Sequence, residues 1–235
     1  MCKMTNKIKL KVWGDFACFS RPEMKVERVS YDVITPSAAR GILEAIFWRP
    51  QIKWIIHRIC VLNPIQHTNI RRNEIDTKIP LKGKTGITAT LKRSGETPGI
   101  LAKDHRQQRA ALILKDVFYG IEAQMQIIEN NEKDGRTLKN PALKFFNMFI
   151  RRTQRGQYFH HPYLGNREFP AHFELTDSFP PCPTELRGTK DLGLMLQDIQ
   201  FTQNTVTRSI AEATPHFFHA VMKDGVILIP KIQLS

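Results

Sequence analysis

The sequence predicts an α+β protein: a ferredoxin-like (RRM-like) domain followed by a small antiparallel β extension at the C-terminus. Three observations predict it. Segments with strand and helix periodicity follow one another in the order strand, helix, strand, strand, helix, strand. The chain beyond Phe179 begins Pro-rich and ends in a hairpin pattern. Its 235 residues, 41% of them hydrophobic, suffice for one large or two small domains with an ordinary core. The expected division is 1–177 for the ferredoxin-like domain, with a long basic insertion near 73–108, and 178–235 for the extension.

The first strand is Lys7 to Val12, where Lys7, Lys9 and Lys11 alternate with Ile8, Leu10 and Val12. Trp13-Gly14-Asp15 is expected to bend it, with a continuation to Phe19 beyond a bulge at the glycine. Thr35-Pro36 is a cap and first-turn pair that opens a helix carrying Ala38, Ile42, Leu43, Ala45 and Ile46, with Pro50 as its stop. Gln51 to Leu62, rich in Ile, Val and Trp, reads as the second strand, broken by Asn63-Pro64. After Ile65 to Arg72 the chain is polar to about Gln108 and punctuated by Gly and Pro. A loop of that length is functional or partly disordered. Its Gly83-Lys84-Thr85 is no phosphate loop, because the glycine required five positions earlier is Lys78. Ala110 to Leu114 and Val117 to Ile128 form the third strand. Phe169, Ala171, Phe173 and Leu175 alternate with polar residues in the fourth, which Pro170 places at an edge or at its beginning. In the tail, His216 to Met222 and Val226 to Ile229 flank the turn Lys223-Asp224-Gly225.

Between the last two of the four core strands lies the most informative stretch. From Gly135 to Arg167 there are Arg136, Lys139, Lys144, Arg151, Arg152, Arg155 and Arg167 and no acidic residue. Asn140-Pro141 starts a helix and Gly156 stops it. At roughly 100° per residue, Lys144, Arg151 and Arg155 fall within about 40°, opposite Leu143, Phe146, Phe149 and Ile150. Tyr158, Phe159, His160, His161 and Tyr163 follow, rings able to stack on bases. The alternative is a solvated basic helix and a loop whose aromatics pack inward. Arg71-Arg72, at the end of the second strand, is a second basic spot for phosphate, or an ordinary charged strand end.

The formal net charge of +13 points to a phosphate-rich partner or an anionic surface. Residues 177–235 hold five basic and six acidic residues, so the whole excess lies in 1–176. Cys2, Cys18, Cys60 and Cys182 are far apart with no C-x-x-C pair, which argues against a zinc ribbon or disulfide scaffold and for reduced cytoplasmic thiols. No apolar run has the length of a signal peptide or a membrane span, so a soluble protein with no membrane partner is expected.

Phosphodiester cleavage needs either metal ions held by clustered carboxylates, or a base for the RNA 2′-hydroxyl with cations around the phosphorane. The carboxylates are scattered, and His216 and His219 on a strand point to opposite faces, so no metal or other cofactor is expected. The second route has Lys144, Arg151, Arg152, His160 and His161. Adjacent histidines in a loop are more often surface or packing residues.

Six segments resemble the CRISPR-associated family-five proteins of subtype I-C, the d or Dvulg variant: SYDVITPSAARGILEAIFW (30–48), IRRNE (70–74), RQQRAALILKDV (106–117), NPALKFFNMFIRR (140–152), FHHPYLGNREFPAHFEL (159–175) and FFHAVMKDGVI (217–227). The resemblance implies metal-free cutting of the repeat in precursor CRISPR RNA, and retention of the 5′ handle of the mature RNA as a Cascade subunit. Other type I-C Cascade subunits, and duplex DNA within the assembled complex, are then further partners. It also implies cleavage by a tyrosine in the first helix and a neighbouring Lys-His pair. Here Phe47 holds the tyrosine position, Lys144 matches the lysine and Phe145 its histidine. Phenylalanine transfers no proton. Either His160 or His161 takes that role beside Lys144, or the chain is a non-catalytic RNA-binding and assembly subunit. Arg71, Arg72, Arg151, Arg152, Arg155, Tyr158 and Arg167 are the expected RNA contacts.

Overall fold

The computed structural model describes residues 7–24, 26–81, 83–84, 86–95, 99–130, 137, 139–203 and 210–231. Cys2, Thr85, Gly135 and Arg136, used above, lie outside the described residues.

The first strand runs from Lys7 to Ala17 (β1), with its burial alternating as far as Asp15 and Phe16 then left exposed. Its partner β5 (Arg106–Ile127) keeps one register with it from Lys7↔Gln124 to Ala17↔Leu114, so the expected bulge at Gly14 is absent. Gly14 serves a close approach instead: a Cβ there would stand 2.6 Å from Leu164 Cδ1 and 2.8 Å from the Pro170 carbonyl. After the short strand β2 (Arg28–Val29), α1 spans Pro36–Ile46. Thr35 caps it, its hydroxyl accepting from Ala38 N at 3.2 Å. The helix ends before Pro50, because Phe47 is extended and Trp54 Nε1 donates to its carbonyl at 3.2 Å. Strand β3 is Ile52–Val61.

The polar segment is more ordered than its composition suggests. Gln66–Ile75 is a strand, β4, antiparallel to the first half of β5 from Gln66↔Lys115 to Ile75↔Arg106. Arg71 and Arg72 therefore sit inside β4 rather than at the end of the second strand. A helix, α2 (Ile87–Ser94), buries none of its residues. Helix α3 is Pro141–Gln154, close to expectation. Its start differs, because Asn140 has φ +50° and its side chain makes no capping bond. Its buried stripe is Phe145, Phe149 and Thr153, one residue in every four, so Leu143 is left 39% exposed instead of facing the core. Gly156, at φ +62°, closes the helix, and Gln157 N donates to Arg152 O at 2.9 Å.

Strand β6 (His172–Leu175) pairs with β1 and begins just after Pro170. The chain then supplies β7 (Thr189–Gln203), β8 (Ile210–Lys223) and β9 (Val226–Leu228). The hairpin at Lys223-Asp224-Gly225 is as expected, while β7, antiparallel to β8, is additional. Among the described residues these strands make one sheet in the order β6-β1-β5-β3-β9-β8-β7, with β2 and β4 on β5. The C-terminal strands are thus continuous with the core sheet, because β9 pairs with β3 from Arg58↔Leu228 to Cys60↔Val226. Helix α1 lies on β3 and β7, and α3 on β5 and β6. The core joins Leu10, Val12, Ile59 and Ile121 of the sheet to Ile42, Leu43 and Ile46 of α1 and Phe149 of α3. Burying each such aliphatic or aromatic side chain contributes about 1.5–3 kcal/mol. No described helix is long and apolar enough to cross a membrane.

Candidate RNA-binding site

Helix α3 carries its charge outward because its apolar residues fall on the other side. Lys144, Arg151 and Arg155 are exposed together, as the sequence predicts. Arg152 turns inward: its guanidinium lies 5.7 Å from the centre of the Phe47 ring and donates to Ile46 O at 3.3 Å, which holds the end of α1 against α3. Phe47 and Phe145 also meet, with ring centres 6.3 Å apart and exposures of 1% and 4%. The two positions that the resemblance assigns to proton transfer are therefore neighbours, beside Lys144, whose Nζ is 6.0 Å from the Phe145 ring. Both are filled with closed apolar packing.

The loop after α3 returns to α1. The backbone amides of Phe159 and His160 donate to Ala45 O at 2.8 and 3.3 Å, two bonds onto one carbonyl of the last turn of α1. With the backbone fixed, the rings stand outward, Phe159 at 80% exposure. Tyr158 lies 4.8 Å from His161, and His160 lies 5.9 Å from Phe159 and 6.5 Å from Tyr163. His161 Nδ1 donates to the Pro162 carbonyl at 2.8 Å, so Nε2 is the basic nitrogen of the neutral ring. Along α3, Lys144 and Arg155 are about 16 Å apart at ~1.5 Å per residue. Lys144 thus lies in the first turn of α3, while the histidine loop leaves its last turn and folds back onto the end of α1.

The loop that carries Arg167 is seated by a glycine. Gly165 has φ +84°, and a Cβ there would be 2.0 Å from Cys18 O. Beside it, Cys18 N donates to Leu164 O at 3.0 Å. Arg167 itself is exposed. The two arginines of β4 part company: Arg71 is exposed, whereas Arg72 forms ion pairs with Glu168 and, at 3.6 Å, with Glu74. Arg28 reaches the same glutamates at 3.9 and 3.3 Å, and Arg109 reaches Glu74 at 3.6 Å. Arg72 is thus a tie between β4 and the Arg167 loop, which corrects its expected place among the phosphate contacts. This cluster joins residues 28, 72, 74, 109 and 168, and no spacing in the sequence signals it. The other group that sequence reasoning missed is Glu44, one residue before Ala45. Burial pushes its carboxyl above the usual range, with Arg40 pulling the other way at 3.6 Å. Among the described residues, no three His, Cys, Asp or Glu side chains gather as a metal-ligand set.

Fold and site together define an α+β protein with a mostly antiparallel sheet, a cationic helix on one face and a fixed loop of outward aromatic and imidazole rings. Residues 7–230 match the family described as CRISPR-associated protein (Cas_Cas5), in its Cas5d form, and the chain belongs to that family. It is 48% identical over 232 residues to the CRISPR pre-crRNA endoribonuclease Cas5d of Mannheimia succiniciproducens, covering 97% of this chain and 96% of that one. It is 40% identical over 235 residues to the protein of the same name from Thermus thermophilus, covering 95% and 91%. Among solved structures, the functionally uncharacterized protein SMU1763c of Streptococcus mutans is similar with TM-score 0.64, and a CRISPR-associated protein with TM-score 0.60. Each is 20% identical, covering 97% of this chain and 93% of the other.

Proposed function

We propose that this protein is a metal-independent endoribonuclease that cleaves precursor CRISPR RNA within the repeat, stays on the 5′ handle, and serves as a Cascade subunit in the cytoplasm. The 48% identity, over nearly the full length, to a protein named for that activity carries the reading. The exposed stripe of Lys144, Arg151 and Arg155 and the fixed rings after α3 support it. The 2′-hydroxyl attacks the adjacent phosphate, leaving a 2′,3′-cyclic phosphate and a 5′-hydroxyl. His160 or His161 transfers the proton, His161 through Nε2. Lys144 stabilises phosphorane charge, and Arg71, Arg151, Arg155, Arg167 and Tyr158 hold the strand. The underlying domain, 1–177, is ferredoxin-like: the order β6-β1-β5-β3, all antiparallel, with α1 and α3 as crossovers, supports that assignment. Residues 178–235 form its β extension. Other type I-C subunits, and duplex DNA in the assembled complex, complete the partners.

A second reading has its own observation. Phe47 and Phe145 occupy the expected proton-transfer positions, which favours a subunit that binds the RNA without cutting it. Labelled repeat RNA incubated with the protein in EDTA separates the two. Cleavage that survives EDTA and stops with a 2′-deoxy nucleotide at the cut position is expected, and tight binding of intact RNA would leave only the binding subunit.

A further inference from the structure

The C-terminal strands create a groove as well as extending the sheet. Strand β9 covers β3 only over Arg58–Cys60, and Ile229 N then donates to His57 O at 3.0 Å. The earlier half of β3 borders a groove of about 720 Å³. Pro36, Ser37 and Arg40 of α1, Gln197 and Asp198 of β7, and the segment Ile229–Lys231 also line it. That volume falls within the ~300–1,000 Å³ of ligand-binding clefts, enough for a base with its phosphate.

The lining is charged in one direction. Lys7 of β1, Lys53 of β3 and Lys231 beyond β9 line it together, while Asp198, the acid among the lining residues, is bound to Arg40 at 2.9 Å. Amides accompany the lysines: Gln124, bonded to His57 at 3.0 Å, and Gln126 beside it. Lysine is depleted at protein–protein interfaces. Three lysines around an amide-lined cleft with apolar residues such as Ile55 and Ile229 suit a nucleic acid, which offers phosphates, base edges and base faces together. Trp54 separates this groove from the site on α3: its ring lies 4.7 Å from Phe149 of α3 and also lines the groove.

We propose that this groove is a second RNA seat, taking a single-stranded segment of the repeat with phosphates on Lys7, Lys53 and Lys231 and a base edge on Gln126. It deepens the reading of the chain as a processing enzyme that keeps its product. Retention requires a surface apart from the scissile phosphate, and this one is built by the extension that the core domain lacks.

The test uses the full chain and fluorescently labelled single-stranded repeat RNA, with affinity measured across a salt series. The triple variant K7A/K53A/K231A removes three phosphate contacts. Its slope of log K against log salt falls by about two, and its affinity at 0.1 M salt falls about 100-fold, the counterion-release share of three phosphates on a single strand. The arginine triple variant K7R/K53R/K231R recovers the slope, which separates charge from folding. A photo-crosslinking residue at position 126 captures the same RNA. A triple alanine variant that binds with wild-type slope and affinity overturns the groove, as does an RNA-binding wild type whose position 126 captures nothing. If the wild-type chain itself fails to bind repeat RNA, the endoribonuclease reading falls first and the groove with it.

Discussion

The two ends of α3 are built in opposite ways. At its first turn, Lys144 stands over Phe145, and Phe145 is closed against Phe47, so the cation has apolar rings for neighbours. Beyond its last turn, the backbone is pinned to Ala45 O and the loop carries two phenols, a phenyl ring and two imidazoles, with Tyr158 4.8 Å from His161 and His160 5.9 Å from Phe159 and 6.5 Å from Tyr163. The first end offers electrostatics without a proton carrier. The second offers proton carriers, with Arg151 and Arg155 supplying charge nearby. An RNA-cleaving centre needs both, and in the proposed one the loop histidines move the proton while Lys144 and the arginines of α3 supply charge.

The largest effect that can break this comparison is on catalysis. Replacing His160 and His161 together with alanine lowers single-turnover cleavage about 10²- to 10⁴-fold, the usual weight of general acid–base groups, with RNA affinity changed far less. If cleavage is unaffected, the chemistry belongs to the first turn. Next in size is packing at that first turn. Phe47→Ala costs about 3–5 kcal/mol in chemical or thermal unfolding, because it opens a cavity between α1 and α3 and strands the Arg152 guanidinium. A loss below about 1 kcal/mol would mean that the end is not closed. Phe159→Ala sharpens the contrast from the other side. It leaves the melting temperature in place and weakens RNA binding by about 1–3 kcal/mol, the worth of one stacked base, while Phe159→Trp binds as wild type does. Equal binding by the alanine variant takes the ring out of the interface. The smallest effect is that of Arg151→Ala, which lowers the salt slope of RNA binding by about one; an unchanged slope places that arginine away from phosphate.

The sequence carried the core of the fold because its signals are local. Lys7 to Val12 alternates, Thr35-Pro36 both caps and starts a helix, and Pro141 to Gly156 brackets another. What it hid depends on partners far along the chain. Strand β4, QHTNIRRNEI, is polar on both faces and is a strand because β5 runs on past the core to meet it. In β7 the period is broken where the register shifts between Asp191 and Gly193. At the site, the cationic stripe was legible from angular spacing alone. The inward turn of Arg152 was not, since it depends on a ring supplied by residue 47. Nor was the capture of Arg72 by Glu168, 96 residues away.

The pairing of β3 with β9 has a consequence in time rather than in space. Cys60 waits for Val226 before its side of the sheet is covered. During synthesis, β3 therefore emerges with an open edge rich in Ile, Val and Trp and keeps it until nearly the whole chain is made. Contacts of such sequence separation close slowly, and an unpaired strand of this composition invites pairing with another nascent copy. Truncation before the final hairpin should yield aggregates rather than a smaller soluble domain, measured as loss from the supernatant on expression. A soluble, monomeric 1–177 fragment would show that α1 and α3 shield that edge by themselves.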